Sequence, residues 1–176
     1  MEQQFQYYAF ISYKREDEKW AKWLQDRLRW YKLPSKLCRQ ITRLPKKVWP
    51  VFRDNTDLDS GRLEENIRHE LERSHYLIVI CSPEAARSPW VGKEVKYFAT
   101  LHGADKIIPF VVSGIPYSND IETECIHEQI KAISQEELLA INVREEGIGS
   151  FAMKKKRAFI RVVARLLDIK LSLIHI

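Results

Sequence analysis

The chain has 176 residues, 45% hydrophobic and 30% charged, with a formal net charge of +5. At this size roughly 70% of the unfolded surface can be buried, so one domain forms a full core without covalent staples. No stretch approaches the ~20 apolar residues of a membrane span, and the opening MEQQFQYYAF lacks the basic start and apolar run of a secretory signal.

Tyr7 to Tyr13 is an aromatic and β-branched run ending in polar residues, which predicts a first strand buried on both faces. From Glu16 to Tyr31 the apolar positions Trp20, Trp23, Leu24, Leu28 and Tyr31 recur at three and four, the pattern of an amphipathic helix that Pro34 stops. Lys32 to Lys47 is basic and free of acids, and reads as a long connection through Pro34 and Pro45. Val48 to Phe52 resumes an extended pattern, and Pro50, unable to donate to a ladder, puts that strand at a sheet edge. RDNTDLDSGR is a polar loop, followed by Leu63, Ile67 and Leu71 at helical spacing.

Tyr76 to Cys81 is a continuous apolar run, as expected of a central parallel strand. Ser88 is a good N-cap and Pro89 fits the first helical position, so a helix starts there and ends near Gly103. Ile107 to Val112 is a further strand. Ile126, Ile130 and Ile133 suggest a helix, Leu138 to Val143 a short edge strand, and Phe159, Val162, Val163, Leu166 and Leu167 a final amphipathic helix. The apolar ending after residue 170 reads as a tail of residues 171–176, either a truncation point or an added remnant, outside a domain of residues 1–170.

Strands alternating with helices imply right-handed crossovers and an α/β fold: a flavodoxin-like three-layer sandwich with a five-stranded parallel sheet of order 2-1-3-4-5. In such a sheet ligands bind at the carboxyl ends of the strands, near the switch point between strands one and three. The segments expected there are Ser12 to Glu16, the Arg53 to Arg62 loop, and Ser82 to Glu94.

Several chemistries fail on spacing. There is no GxGxxG and no GxxxxGK[ST], so neither a dinucleotide-binding turn nor a phosphate loop is supported. Asp54, Asp57 and Asp59 match a calcium loop poorly, since Gly61 is at the wrong offset and Arg68 stands where a bidentate Glu is required. Cys38, Cys81 and Cys125 are odd in number and share no CxxC spacing. That argues against disulfides and against zinc, and makes a reducing cytoplasm the expected compartment. The five histidines form no HExxH and read as surface or packing residues, so no metal site is expected. The basic stretches, Lys32 to Lys47 and Lys154 to Arg157, read as solvated faces before they read as nucleic-acid or partner surfaces.

Two constellations remain at the switch point: Phe52-Arg53-Asp54 with its loop, and Trp90 to Glu94. On a helix, Val91, Val95 and Phe98 share the face that packs on the sheet, while Trp90, Glu94, Tyr97 and Leu101 line the adjacent one. By spacing alone Glu94 is a carboxylate near a helix N-terminus, stabilised by the macrodipole by roughly 0.3–1 kcal/mol.

The segments AFISYKRED, VFRDNTDLDSGRLEENIRHELERSHYLIVICSP and SPWVGKEV, in this order and separation, resemble the first-strand box, the second strand to third strand region with its BB loop, and the helix-C box of a Toll/interleukin-1 receptor (TIR) domain. The resemblance covers nearly the whole chain and is nearest to the bacterial, NAD-consuming effector type. It implies cleavage of the nicotinamide–ribose bond of NAD+, to ADP-ribose or a cyclic or conjugated derivative, with NAD+ as substrate and no cofactor. Glu94 occupies the catalytic position of that box. Trp90 is expected to wall the pocket, Phe10 and Tyr13 to contact nicotinamide or adenine, Ser12 to join the substrate site, and Lys14 and Arg15 to meet the pyrophosphate. Asp54 and Asp57 are expected to contact substrate or to hold the loop. Family members self-associate, here through Arg53 to Arg62 and the helix-C equivalent. Many bacterial ones serve anti-phage defence as part of a longer chain with a sensor domain, or beside an operon partner. The resemblance also permits a non-catalytic adaptor that assembles through the BB loop. A nuclease built on Glu94-Val95-Lys96 lacks a paired metal-binding Asp, and neither a membrane nor nucleic acid is an expected partner.

Overall fold

The structure is a computed structural model and describes residues 5–54, 61–134, 139–145 and 147–174, with residues 61–64 as backbone alone. Strand β1 (Tyr7–Ser12) leads through a single 3-10 turn into helix α1 (Glu18–Trp30). The pairs that follow are β2 (Val51–Arg53) with α3 (Gly61–Glu72), β3 (Ser74–Cys81) with the short α4 (Pro83–Ala86) and α5 (Pro89–His102), β4 (Ile107–Val111) with α6 (Glu128–Ile133), and β5 (Ile141–Asn142) with α7 (Phe151–Leu167). The five strands are all parallel and ordered β2-β1-β3-β4-β5, the topology expected from the sequence.

Alternation along the inner strands sends successive side chains to opposite faces. Ala9, Ile11, Ile78, Ile80 and Phe110 pack under Leu24 and Leu28 of α1 and Phe159, Val162 and Leu166 of α7. Phe10, Leu77, Val79 and Val111 pack under Ile67 and Leu71 of α3 and Val91, Val95 and Phe98 of α5. This double burial explains why β3 reads as an unbroken apolar run. Each of the larger side chains, Ala9 excepted, contributes roughly 1.5–3 kcal/mol relative to exposure.

Two regions differ from the sequence reading. The Lys32 to Lys47 connection carries a short helix, α2 (Ser35–Gln40). Its six cations are exposed, while Leu33, Leu37 and Leu44 insert into the α1/α7 core with Ile41 packed beside them; that spacing of four, four and three is helical, but Pro34 and Pro45 and the basic run favoured a connection. The second ladder covers Val51–Arg53 only, because Pro50 has no N–H, although its carbonyl still accepts from Tyr8 N at 2.7 Å. Within the expected tail, a 3-10 turn spans Leu171–Leu173 and Ile174 is buried in the α1/α7 core. The Lys154 to Arg157 run lies along α7, with Lys155 over the rings of Trp20 and Trp23 at 4.9 and 4.5 Å. No described helix is long and apolar enough to cross a membrane.

Candidate active site

Helix α5 is fixed at both ends. Ser88 Oγ accepts from Val91 N at 3.3 Å, Pro89 occupies the first turn, and Gly103 ends the helix at φ 91°, a conformation that L side chains rarely adopt. Val91, Val95 and Phe98 bind its inner face to the sheet. A rotation of about 100° per residue then turns Trp90, Glu94 and Tyr97 toward α3. These three, with Ile67, Arg68 and Leu71 of α3, line a cleft of about 290 Å³. Leu101, expected on the same stripe, lies beyond the cleft and is exposed.

Glu94 is 4% exposed, which overturns the reading of a solvated carboxylate near a helix N-terminus. Its proton affinity is held well above that of an ordinary glutamate, first by burial and then by the neighbouring Asp54 charge, while the Ser12 hydroxyl opposes the shift. Ser12 is near enough to temper the carboxyl, although no hydrogen bond joins Ser12 Oγ to Glu94 Oε2. Ser12 Oγ and Glu94 Oε2 are both buried with no hydrogen-bond partner among the described residues. Leaving such groups unmade costs roughly 1–3 kcal/mol each, more for a charge. Two orphaned polar atoms beside a cleft form a site that a polar ligand would complete.

The wall on the β1 and β2 side is a polar network. Arg53 Nε donates to Gln25 Oε1 at 3.0 Å, and Arg53 Nη1 donates to Tyr13 Oη at 3.1 Å and lies 3.6 Å from Glu18. Tyr13 Oη donates in turn to the Asp54 carbonyl, and Gln25 Nε2 donates to Val51 O at 3.1 Å. Arg53 thereby joins α1, the exit of β1 and the exit of β2, and fixes where Asp54 enters its loop. Asp17, at the start of α1, accepts from Ser82 Oγ at the end of β3, so the two loops flanking the switch point are tied together.

The structure sorts the expected site residues. Glu94 and Trp90 line the cleft, and Ser12 and Asp54 stand next to Glu94. Tyr13 is half-buried and its hydroxyl is engaged by Arg53 and Asp54, so it holds the wall together. Phe10 is wholly buried against Phe52, with ring centroids 5.1 Å apart, and offers no face to a ligand; the double burial of β1 is the reason. Lys14 is half-buried and Arg15 exposed, and neither lines the α3/α5 cleft. Asp57 lies outside the described residues, as does most of the Arg53 to Arg62 loop. Arg53 and Gln25 carry the network; the sequence reading placed Arg53 at the switch point only as the start of its loop and gave Gln25 no role. The only signal was a polar residue between the buried Leu24 and Leu28 of α1. Among the described residues no group of three His, Cys, Asp or Glu could hold a metal ion.

A family model described as a TIR domain matches residues 9–146. A curated relative, the NAD(+) hydrolase ApTIR of Actinoplanes sp., is 36% identical over 110 residues, covering 61% of this chain and 14% of the relative. The chain therefore matches only a small part of that protein's length. Among solved structures, the TIR domains of the activated Roq1 resistosome superimpose with a TM-score of 0.42 at 15% identity, over 96% of this chain and 83% of theirs. A prokaryotic SEFIR domain reaches 0.47 at 16% identity, over 92% of both chains.

Proposed function

Because this chain belongs to the TIR-domain family, we propose that Glu94 and the cleft beside it cleave the bond between nicotinamide and ribose in NAD+. The observation that carries this reading is the Glu94 carboxyl itself, buried and with one oxygen unpartnered among the described residues. The activity in the name of the 36% identical relative supports it.

The chemistry suits a single carboxylate. The pyridine nitrogen of NAD+ is cationic, so the C1′–N bond breaks with its electron pair moving onto nitrogen, and nicotinamide leaves neutral without a general acid. The ribose left behind has oxocarbenium character, and a carboxylate beside C1′ stabilises the developing charge in a water-poor site. Water captures C1′ to give ADP-ribose and a proton, or a nucleophile within the same molecule gives a cyclic product. Free Glu94 is disposed to hold its proton; the arriving pyridinium favours the ionised form. Trp90 supplies an apolar wall, and Ser12 Oγ is free to bond a ribose hydroxyl.

The same reading extends to the setting. About 290 Å³ is at the small end of ligand pockets, so neighbouring copies, meeting through residues 53–62 and α5, complete the enclosure. The domain acts in the cytoplasm as a defence effector joined to a sensor domain or an operon partner. A pure adaptor has no use for a destabilising buried acid, which weighs against that alternative. The test is chromatography of NAD+ products over a protein concentration series. Specific activity should rise with concentration or artificial clustering, and Glu94→Gln should lower turnover at least ~10²-fold. Undiminished turnover in a folded Glu94→Gln protein refutes the assignment.

A further inference from the structure

The segment between β4 and α6 is organised around one carboxylate. Glu124 accepts from the backbone N–H groups of Tyr117, Asn119 and Ile126 at 3.0, 3.1 and 2.9 Å and pairs with Lys131 Nζ at 2.7 Å. This bracket delivers His127 to the start of α5. Gln129 N, which can only donate, lies 3.0 Å from His127 Nδ1, so Nδ1 carries the lone pair. The ring proton therefore sits on Nε2 and is donated to the Ser88 carbonyl at 2.9 Å. That carbonyl also accepts Gly92 N at 3.2 Å, closing the first turn of α5.

The Cε1–Nε2 edge of the ring abuts Gly92. A β-carbon added there would stand 2.4 Å from His127 Cε1 and 2.8 Å from Nε2, distances that real contacts do not reach. Glycine at 92 thus lets the imidazole reach the helix backbone two residues before Glu94. The ring serves two elements: Nδ1 caps α6, and Nε2 grips α5.

We propose that His127 is a positioning residue for Glu94, its Nε2–H clamping the first turn of α5 through the Ser88 carbonyl while its ring seats against Gly92. The inference rests on Glu94 being the reactive carboxylate. Displacement of a reacting group by about 1 Å can cost up to ~10²-fold in rate, so a clamp at the root of the helix governs turnover more than binding. Burial keeps the proton affinity of the ring below that of free histidine, and Glu128 and the Ser88 carbonyl only partly offset this. The neutral tautomer required by both contacts is therefore the resting one.

The two ring nitrogens can be separated by substitution. His127→Asn presents an acceptor near the Nδ1 position and keeps the α6 cap but loses the grip on Ser88; His127→Gln presents an N–H near the Nε2 position and keeps the grip but loses the cap. With the 176-residue chain clustered, His127→Asn should lower kcat for NAD+ cleavage about 10-fold or more, with KM within about 2-fold and melting temperature near wild type. His127→Gln should melt lower yet keep kcat within about 3-fold. Hydrogen exchange at Gly92 N–H, bonded to the clamped carbonyl, gives a readout free of turnover: faster exchange is expected in the Asn variant and near-wild-type exchange in the Gln variant. Wild-type rate and exchange in His127→Asn, or a kcat loss that merely follows melting temperature in both variants, overturns the proposal. If the wild type releases no nicotinamide, the reading of Glu94 fails, and the exchange pattern alone decides whether the clamp exists.

Discussion

Glu94 works against the fold that holds it. Its folded-state proton affinity is raised, so below about pH 4.3, the unfolded value, both states are protonated and ionisation adds no cost. As pH rises from there, the unfolded chain ionises first and stability drains away until the folded carboxyl also ionises. Glu94→Gln removes that dependence. The melting-temperature difference, variant minus wild type, should therefore grow between about pH 4 and neutrality, by about 2–4 °C for each kcal/mol relieved. A difference that shrinks over the range contradicts the burial argument. The proposed NAD+ cleavage has the opposite demand, since only the ionised form would stabilise an oxocarbenium. The acid limb of kcat/KM, which reports the free enzyme, should lie above the ordinary glutamate range. Asp54→Asn, by removing a like charge, should move that limb to lower pH; a fixed limb would mean that Asp54 does not act on Glu94.

At the scale of elements, α5 is a carrier whose inner face is bought by Val91, Val95 and Phe98 and whose start is fixed by Ser88. Ser88→Ala should cost about 1 kcal/mol of stability, read as a fall in the urea midpoint with an unchanged slope. An unchanged midpoint would mean that Val91 N–H finds another acceptor. This helix was legible in the sequence because its periodicity, its cap and its terminating glycine agree. Helix α2 was not, since it is only six residues long with Leu37 alone buried within it, and the flanking Pro34 and Pro45 with the basic run outweighed the helical spacing of Leu33, Leu37, Ile41 and Leu44. The expected strand over Leu138 to Val143 is a ladder of only Ile141–Asn142 among the described residues. An edge strand gains ladder bonds from β4 alone, so its extent depends on a partner as well as on propensity.

At the scale of the molecule, the order β2-β1-β3-β4-β5 brings the exits of β1, β2 and β3 to one end of the sheet. Arg53 then ties β1, β2 and α1, and Asp17 with Ser82 ties β1 to β3. The proposed site is thus assembled from segments as far apart in the chain as Ser12, Asp54 and Glu94. The bracket around Glu124 adds a fourth segment through His127, which the sequence reading had classed with surface and packing histidines.

By itself the sequence determined the strand order and the helix that carries Trp90 and Glu94, and it singled out Glu94 as the proposed acid, because periodicity, capping and motif order are properties of local stretches of chain. The tertiary structure alone decided that Glu94 is buried beside Asp54 and Ser12, that Phe10 is core, that Tyr13 and Arg53 form a wall, and that a histidine 33 positions beyond Glu94 grips the start of its helix. Burial, proton affinity and hydrogen-bond partnership depend on what crosses over from other elements, and no local pattern records those neighbours.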